Sequence, residues 1–593
     1  MAALEAWASW GFLTVAAAAV VIAVTWYLKI SHCCRLVARI PGPPGLPLLG
    51  NTLQLIARRE DILNYFKELR DRYVTVCKLW VGPILCVGMF DPQDITVILS
   101  NSKTLSKPMI YNPVTTVFGN SLLTAKFKEW KKFRKIMEPT FSNHIIDSYV
   151  STFHEKSQRM ADLLEERCHG EPFNMADYSM PCALEMLSET SLGVPMNIQG
   201  KSHQHSVVEN FPKIAEVGTF TLLTPWLWFH LTHKFFPFYY KVIALVKPIR
   251  NYVTCLIKDK TESYISSRKH YVAPEASDID INVVILRYLP IKYQVHLTGR
   301  SFHNITEFRE QVLAFDRLER LSRNNNSEVE KDLKPTHQKE NLSFITYTFV
   351  YNVSDIPKKR LGFLEHMVSI KVENPGLLSI EELQDQVMII IAGGTDTTAY
   401  AVATTLMLLG LHQDVQRKVL QEQASIFGED TSRPATTRDL QQMVYLEQVI
   451  NETMRLYPVV PFVARRVDED VSVNSYTLPA GTIVLIPIYL VHRNPEYFPN
   501  PGTFDPDRFS RENSACHPAC SFIPFSYGRK MCLGKSYAYM AMKTMLSVLL
   551  RRYEVLEYGS RDDMESFKFE MFLKFKHGHS IRLRQRNCVF KKM

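Results

Sequence analysis

The chain has 593 residues, 46% of them hydrophobic, and a formal charge of +9. That length and apolar content suffice for one large core, and length divided by ~150 overestimates the domain count for folds of this kind. The charge is modest, with no basic tail or aromatic-basic module, so nothing argues for a nucleic-acid partner. Eleven cysteines at irregular spacing give no disulfide framework and point to a reducing compartment.

From the amino end, Trp10 to Leu28 is uncharged and predominantly apolar, close to the ~20 residues that span hydrocarbon. Only Glu5 is charged before it, whereas Lys29, Arg35 and Arg39 follow, so the positive-inside rule leaves the body of the chain in the cytosol. The length of the run and the lack of a basic n-region set it apart from a cleaved signal peptide. Residues 1–40 are therefore expected to be a membrane anchor with its flank, and Pro41-Gly42-Pro43-Pro44-Gly45-Leu46-Pro47 a stiff connection.

Recurring β-branched residues predict short strands from Val74 to Val87 and from Val471 to Ile486, in a chain that otherwise reads as helical. Trp130 and Arg134 share one helix face and offer an indole donor and a guanidinium suited to carboxylates. Thr219 to Tyr240 is rich in Phe, Trp, Leu and Tyr, which fits equally a core helix or an edge that touches lipid. From about Ala273 to Pro357, β-prone runs such as Ile281 to Leu286 alternate with a polar block around Asn324, Asn325 and Asn326. A structureless loop of that length is uncommon, so the stretch is expected to be an insertion or the translation of an unspliced segment.

Ser379-Ile380-Glu381-Glu382 has the form of a capping box that starts a helix running to about Leu411. Inside it, Gly393-Gly394-Thr395-Asp396-Thr397-Thr398 conflicts with helix propensity, since each glycine costs about 1 kcal/mol relative to alanine. Such conflicts mark functional sites. Gly394 is expected to leave room for a small ligand, and Asp396 and Thr397 to place an acid and an alcohol together for proton relay. The plainer alternative is a kinked core helix whose threonines bond back to carbonyls. Farther on, Glu452 and Arg455 form a spacing that is ordinarily a surface pair, and Phe504 to Phe509 contributes Arg508 in a Pro-punctuated loop. Cys516, His517 and Cys520 lack the second ligand pair a zinc site needs and read as a surface loop.

The most informative stretch is Phe525-Ser526-Tyr527-Gly528-Arg529-Lys530-Met531-Cys532-Leu533-Gly534. One cysteine between glycines suits a loop that holds a thiolate beneath a flat cofactor, with Gly528 and Gly534 allowing a sharp turn and close approach and Phe525 walling off water. Arg529 and Lys530 are expected to help keep the sulfur ionised. A thiolate ligand favours O–O cleavage at haem iron.

Taken in order, the Trp130–Arg134, Gly393–Thr398, Glu452–Arg455 and Cys532 motifs resemble the cytochrome P-450 superfamily of haem-thiolate monooxygenases, from Pro41 to the end except for the unusual stretch. The resemblance implies a mainly α fold with small β-sheets, one catalytic domain over 41–593 with an atypical insertion at about 273–357, and haem b between the oxygen-site helix and the Cys532 loop. It implies Cys532 as axial ligand, Asp396 and Thr397 in oxygen activation, and Glu452, Arg455 and Arg508 as a structural triad. Trp130, Arg134 and one of Arg465 or Arg466 are implied as propionate partners, with Lys530 where an arginine is expected. Thr224-Pro225-Trp226-Leu227-Trp228, Glu189 to Val194 and Arg455 to Phe462 resemble the family-4 branch, insect-like members in particular. Many of that branch carry a glutamate, able to become esterified to haem, where this chain has Gly393.

By the same resemblance the membrane is the endoplasmic reticulum, the 219–240 region lies near the substrate entrance, and Phe118, Ala392, Val460, Phe462 and Phe572 are candidate pocket residues. Electrons are implied to come from NADPH-cytochrome P-450 reductase, with cytochrome b5 as a second donor and Lys131, Lys132, Arg134, Lys135 and Lys535 as a docking face. The substrate is implied to be lipophilic: a fatty acid, hormone, hydrocarbon, odorant or xenobiotic. Two rival readings are a haem-thiolate isomerase or dehydratase, against which the intact Asp396-Thr397 pair argues, and a non-catalytic haem-binding membrane protein.

Overall fold

Apolar periodicity sets the main helices, two of which also start at a side-chain cap, from His205 and Ser379. In a computed structural model they are α1 (Ile62–Tyr73), α2 (Phe127–Met137), α3 (Val150–Leu164), α4 (Ala176–Leu187), α5 (Ser206–Leu222), α6 (Pro237–Lys269), α7 (Ile380–Leu411), α8 (Val444–Leu456) and α9 (Lys535–Arg552), with shorter helical turns between them. The structure describes residues 32–201, 205–229, 234–269, 361–428, 430, 432–474 and 476–586. The expected anchor at Trp10 to Leu28 and the stretch 273–357 lie outside the described residues. The described residues up to Tyr264 and from Leu361 onward form one compact unit, which holds the site.

The strands are short: β1 (Val76–Val81), β2 (Ile84–Met89), β3 (Phe173–Asn174), β4 (Val463–Arg466), β5 (Val471–Val473), β6 (Tyr476–Leu478), β7 (Ile483–Ile486), β8 (Tyr553–Leu556), β9 (Phe567–Glu570), β10 (Phe572–Phe575) and β11 (Ser580–Gln585). They make a four-stranded sheet in the order β1-β2-β7-β4, a three-stranded sheet β3-β11-β8, and two hairpins, β5-β6 and β9-β10. In the largest sheet β2 and β7 run parallel, pairing Val87 with Val484, while the outer pairs are antiparallel. A mainly α fold with small sheets is thus what the chain forms.

Helix α7 organises the core. Ser379 accepts from the backbone of Glu382 and the Glu382 side chain accepts from the backbone of Ser379, so the capping box starts the helix where expected. The helix runs unbroken through Gly393 and Gly394, because neighbours bury most of it and tertiary packing overrides propensity. Among the described residues it is the helix long and apolar enough to cross a membrane, yet α4, α8 and α9 pack around it, which marks it as a core helix.

Glu452 and Arg455 are fully buried in α8 rather than on its surface. The Arg455 guanidinium grips the carboxylate through Nε at 2.6 Å and a second nitrogen at 2.8 Å, and donates also to the carbonyls of His492, Pro501 and Thr503. Arg508 Nε lies 3.5 Å from Glu452. Breaking a buried, fully bonded pair of this kind costs about 3–5 kcal/mol, because the surviving charge is stranded.

Candidate active site

The Cys532 loop is shaped by local backbone constraints. Gly528 has φ of +71°, and a Cβ there would lie 2.2 Å from the carbonyl oxygen of Leu99, at the end of the helix Pro92–Ser100. Only glycine meets both demands. The turn closes with Met531 N–H donating to Gly528 O and Cys532 N–H donating to Phe525 O at 2.9 Å, and Arg134 reaches from α2 to donate to Met531 O at 2.8 Å. Gly534 differs: its φ is −92° and a Cβ would meet no protein atom within 4 Å. Nothing within the protein fold demands glycine there, so any demand comes from what the cavity holds.

Cys532 faces a cavity of about 530 Å³. Gly393, Gly394 and Thr397 of α7 form the opposite wall, and Phe525 flanks the loop. Desolvation by the surrounding protein pushes the Cys532 thiol up although its surface is open to the cavity, and the Gly534 backbone N–H and the charges of Arg134 and Lys535 oppose the shift. Arg529 and Lys530, expected to act on the sulfur, are not the groups that do: Arg529 is exposed, and Lys530 turns toward Trp130, its ammonium 4.8 Å from the ring centroid. Coordination to iron removes a thiol proton outright.

The two glycines of α7 have different tasks. A Cβ on Gly394 would press within 2.9 Å of Leu187, so this glycine admits α4 rather than a ligand; on Gly393 it would meet nothing. The open side expected at Gly394 is therefore at Gly393, and a glutamate at that position would project into open space. Thr397 Oγ donates to the Gly393 carbonyl at 2.7 Å, the back-bonding of the plainer alternative. Asp396 is buried on another side of the helix, with Oδ1 lacking a hydrogen-bond partner, and burial raises its carboxyl to about 6.

Cations crowd the rim. Arg465 is 2% exposed and donates to Ser526 Oγ and Ala464 O. Arg466, its neighbour on β4, is exposed and outside the cavity, since successive strand residues face opposite sides. Lys530 Nζ is buried without a hydrogen-bond partner, and burial beside Arg465 depresses it to about 7. Lys107, which no sequence motif announces, lies over the Tyr111 ring at 4.4 Å and is held well below the ordinary lysine range by burial, Arg465 and Lys530. Among the described residues no carboxylate pairs with any of the three. Three mutually repelling cations at one edge of an otherwise apolar cavity fit a ligand bearing carboxylates there, as the two propionates of haem do.

The remaining wall is apolar, and Phe118, Ala392, Val460, Phe462 and Phe572 all line it, as do Trp130 and Arg134. Sequence reasoning also missed His492. Its Nδ1–H donates to Met454 O at 3.3 Å and its Nε2 accepts from Ile523 N–H at 2.8 Å, which fixes the neutral tautomer; burial lowers its pKa to about 3. It ties α8 to the residues that enter the Cys532 loop. Its place before Arg493-Asn494-Pro495, a turn-forming run, was the available signal.

A thiol loop facing a helix across an apolar cavity with a cationic rim defines a haem-thiolate protein. The chain belongs to the cytochrome P450 family, whose model matches residues 40–287 and 290–582. It is similar to Cytochrome P450 4g15 of Drosophila melanogaster, with 31% identity over 95% of each chain. It is similar as well to Cytochrome P450 4c3 of the same species, at 28% over 95% of this chain and 92% of that one. Human Cytochrome P450 4V2 matches at 29% over 91% of this chain and 89% of its own. The family binds haem through a cysteine thiolate, and the chain is a cytochrome P450 monooxygenase with its relatives in family 4.

Proposed function

We propose that Cys532 is the axial ligand and that the enzyme inserts one atom of O₂ into a lipophilic substrate, the other leaving as water. Haem so bound supplies the oxygen chemistry. The chain's own residues do the rest: Arg465, Lys530 and Lys107 hold the propionates, with Trp130 and Arg134 beside them, and Phe525 limits water at the sulfur. Thr397 at the open face of α7 and Asp396, buried on another side of that helix, handle protons, and the bond from Thr397 Oγ to Gly393 O leaves the hydroxyl oxygen free to accept. Glu452, Arg455 and Arg508 stabilise the segment leading to the loop. The reading rests above all on one observation: Lys107, Arg465 and Lys530, with Lys530 Nζ buried and without a hydrogen-bond partner, line the cavity that Cys532 faces.

The apolar walls favour a fatty acid or another lipid-like molecule of the hormone, odorant or xenobiotic class. NADPH-cytochrome P-450 reductase is the proposed electron donor, with cytochrome b5 a second one, docking near Lys131, Lys135 and Lys535. Lys132 is already engaged with Glu382 at 2.7 Å. Residues 10–28 are proposed as a single-pass anchor in the endoplasmic reticulum membrane with the catalytic domain in the cytosol. Exposed Trp226, Phe229, Phe235 and Tyr240 support contact of the 219–240 region with lipid. Residues 273–357 are proposed as a genuine insertion within the single domain over 41–593, which a relative of similar length supports.

The test is the carbon monoxide difference spectrum of the reduced protein, followed by a lipid substrate screen with reductase. The wild type should give the thiolate signature and reductase-dependent product; Cys532→Ser should lose both. Retention of either by the variant would overturn the reading.

A further inference from the structure

The start of α7 grips the loop that follows the short helix Asn112–Phe118. Asn120 N–H donates to Asp385 Oδ2 at 2.7 Å and Leu122 N–H to Gln386 Oε1 at 2.8 Å, while Gln386 Nε2 donates back to Asn120 O at 3.1 Å. Both α7 side chains are buried. Gly119 permits the approach: it ends the short helix with φ of +50°, and a Cβ there would lie 2.0 Å from an oxygen of Asp385. A third element joins from α6, where one nitrogen of Arg250 donates to both Val117 O and Asp385 Oδ1, each at 3.0 Å.

One carboxylate thus answers to two elements, the loop on Oδ2 and α6 on Oδ1. Burial raises the Asp385 carboxyl, and the Asn120 N–H and the Arg250 charge hold it down against that pull. Removing either member of the ion pair alone therefore strands the other, whereas removing both strands no charge. What the cluster holds is cavity wall. Phe118, Leu122 and Leu123 line the cavity that Cys532 faces, whereas Asp385, Gln386 and Arg250 do not. Asp385 and Ala392 are seven residues apart, as are Gln386 and Gly393, so the loop is pinned about 10 Å along the same side of α7 that supplies Ala392 and Gly393 to the cavity.

We propose that Asp385 and Arg250 are positioning residues that set how far the Phe118–Leu123 wall stands from α7, and so decide which unbranched alkyl chains the cavity accepts and which carbon lies nearest the haem. The proposal deepens the lipid reading given above and rests on it. Phe118, Leu122 and Leu123 have no polar side-chain atom to offer a chain, so their placement is what selects. Neither Asp385 nor Arg250 touches the chain; the pair acts on it through the wall, and its charges make the two residues depend on each other.

The test uses the haem-loaded full chain, in the wild type and in Arg250→Met, Arg250→Lys, Asp385→Asn and the double variant Arg250→Met with Asp385→Asn. Hydrogen exchange read by mass spectrometry follows the peptide over 117–124. Visible spectra give dissociation constants for N-octylimidazole and N-dodecylimidazole, whose rings ligate haem iron while the alkyl chain runs into the cavity. Arg250→Met and Asp385→Asn should each speed exchange in that peptide by roughly tenfold and change the ratio of the two dissociation constants by roughly fivefold. The double variant should lie closer to the wild type than either single one, and Arg250→Lys, which keeps the charge, should stay near the wild type. A merely structural pair would weaken both ligands alike and leave the ratio alone. An unchanged ratio in either single variant, a changed ratio without faster exchange, or additive changes in the double variant overturns the proposal. The Arg250 side chain is 30% exposed and can be shortened without emptying the core, so Arg250→Met decides the matter even where Asp385→Asn does not accumulate. A wild type lacking the thiolate signature in its carbon monoxide spectrum defeats the reading of the site; a wild type that has it, with variants whose ratio does not move, defeats this inference alone.

Discussion

Replacing Gly528 by alanine should damage the Cys532 loop before any cofactor is involved. The added Cβ would sit 2.2 Å from Leu99 O and 3.0 Å from Leu99 C, both backbone atoms that cannot rotate away. Relief needs a retreat of roughly 1 Å, since ordinary contacts begin near 3.4 Å. A left-handed conformation adds about 1–2 kcal/mol for a residue with a side chain, and overpacking of this kind about 1–3 kcal/mol, for a total of about 2–5 kcal/mol. Gly534→Ala meets neither penalty, so the haem-free protein should keep its stability while haem uptake falls. The assay is paired: urea unfolding of the haem-free chains, and haem content by pyridine haemochrome. Gly528→Ala should fail in both and Gly534→Ala only in the second. An unfolding midpoint for Gly528→Ala equal to wild type would refute the reasoning.

Lys107→Met should have opposite effects on the two forms. Removing a buried, repelled cation raises the stability of the haem-free chain, while losing one charged propionate partner weakens haem binding by roughly tenfold to a hundredfold; haem transfer to apomyoglobin reads the second effect, and faster transfer without apo stabilisation would contradict the placement of Lys107. His492→Phe keeps the ring volume but strands Ile523 N–H, at a cost of about 1–3 kcal/mol, so thermal scans should show a lower unfolding temperature and a smaller bound-haem fraction. Asp396 gives a pH signature. Its folded value, about 6, lies above the ordinary 3.8, so the native state keeps a proton that the unfolded chain has lost between these values. Stability therefore falls as pH rises through that window, by about 3 kcal/mol, and is flat above it. Asp396→Asn should abolish the slope and be the more stable protein at pH 7.5; denaturant titrations at pH 4.5 and 7.5 that give the same difference would count against it.

Much of the fold was legible because it is written locally. The Ser379–Glu382 box, the apolar run to Leu411 and the β-branched strands between Val76 and Ile486 each depend on neighbours in sequence. So does the Cys532 loop, whose glycine at 528 answers to its own φ. The division of labour between Gly393 and Gly394 was not legible, because which glycine faces a cavity and which faces α4 depends on a helix some two hundred residues away in the chain.

The sequence by itself determined the helical class, the cysteine that faces the cavity and the acid and alcohol of α7, since each is announced by residue type and spacing. Only the tertiary structure decided that Arg465 and not Arg466 turns inward, that Lys107 joins it, and that His492 ties α8 to the Cys532 loop. The physical reason is range. Capping, periodicity and backbone conformation act over a few residues, whereas desolvation and charge are set by whatever the folded chain brings within a few ångströms, and sequence spacing carries little record of that.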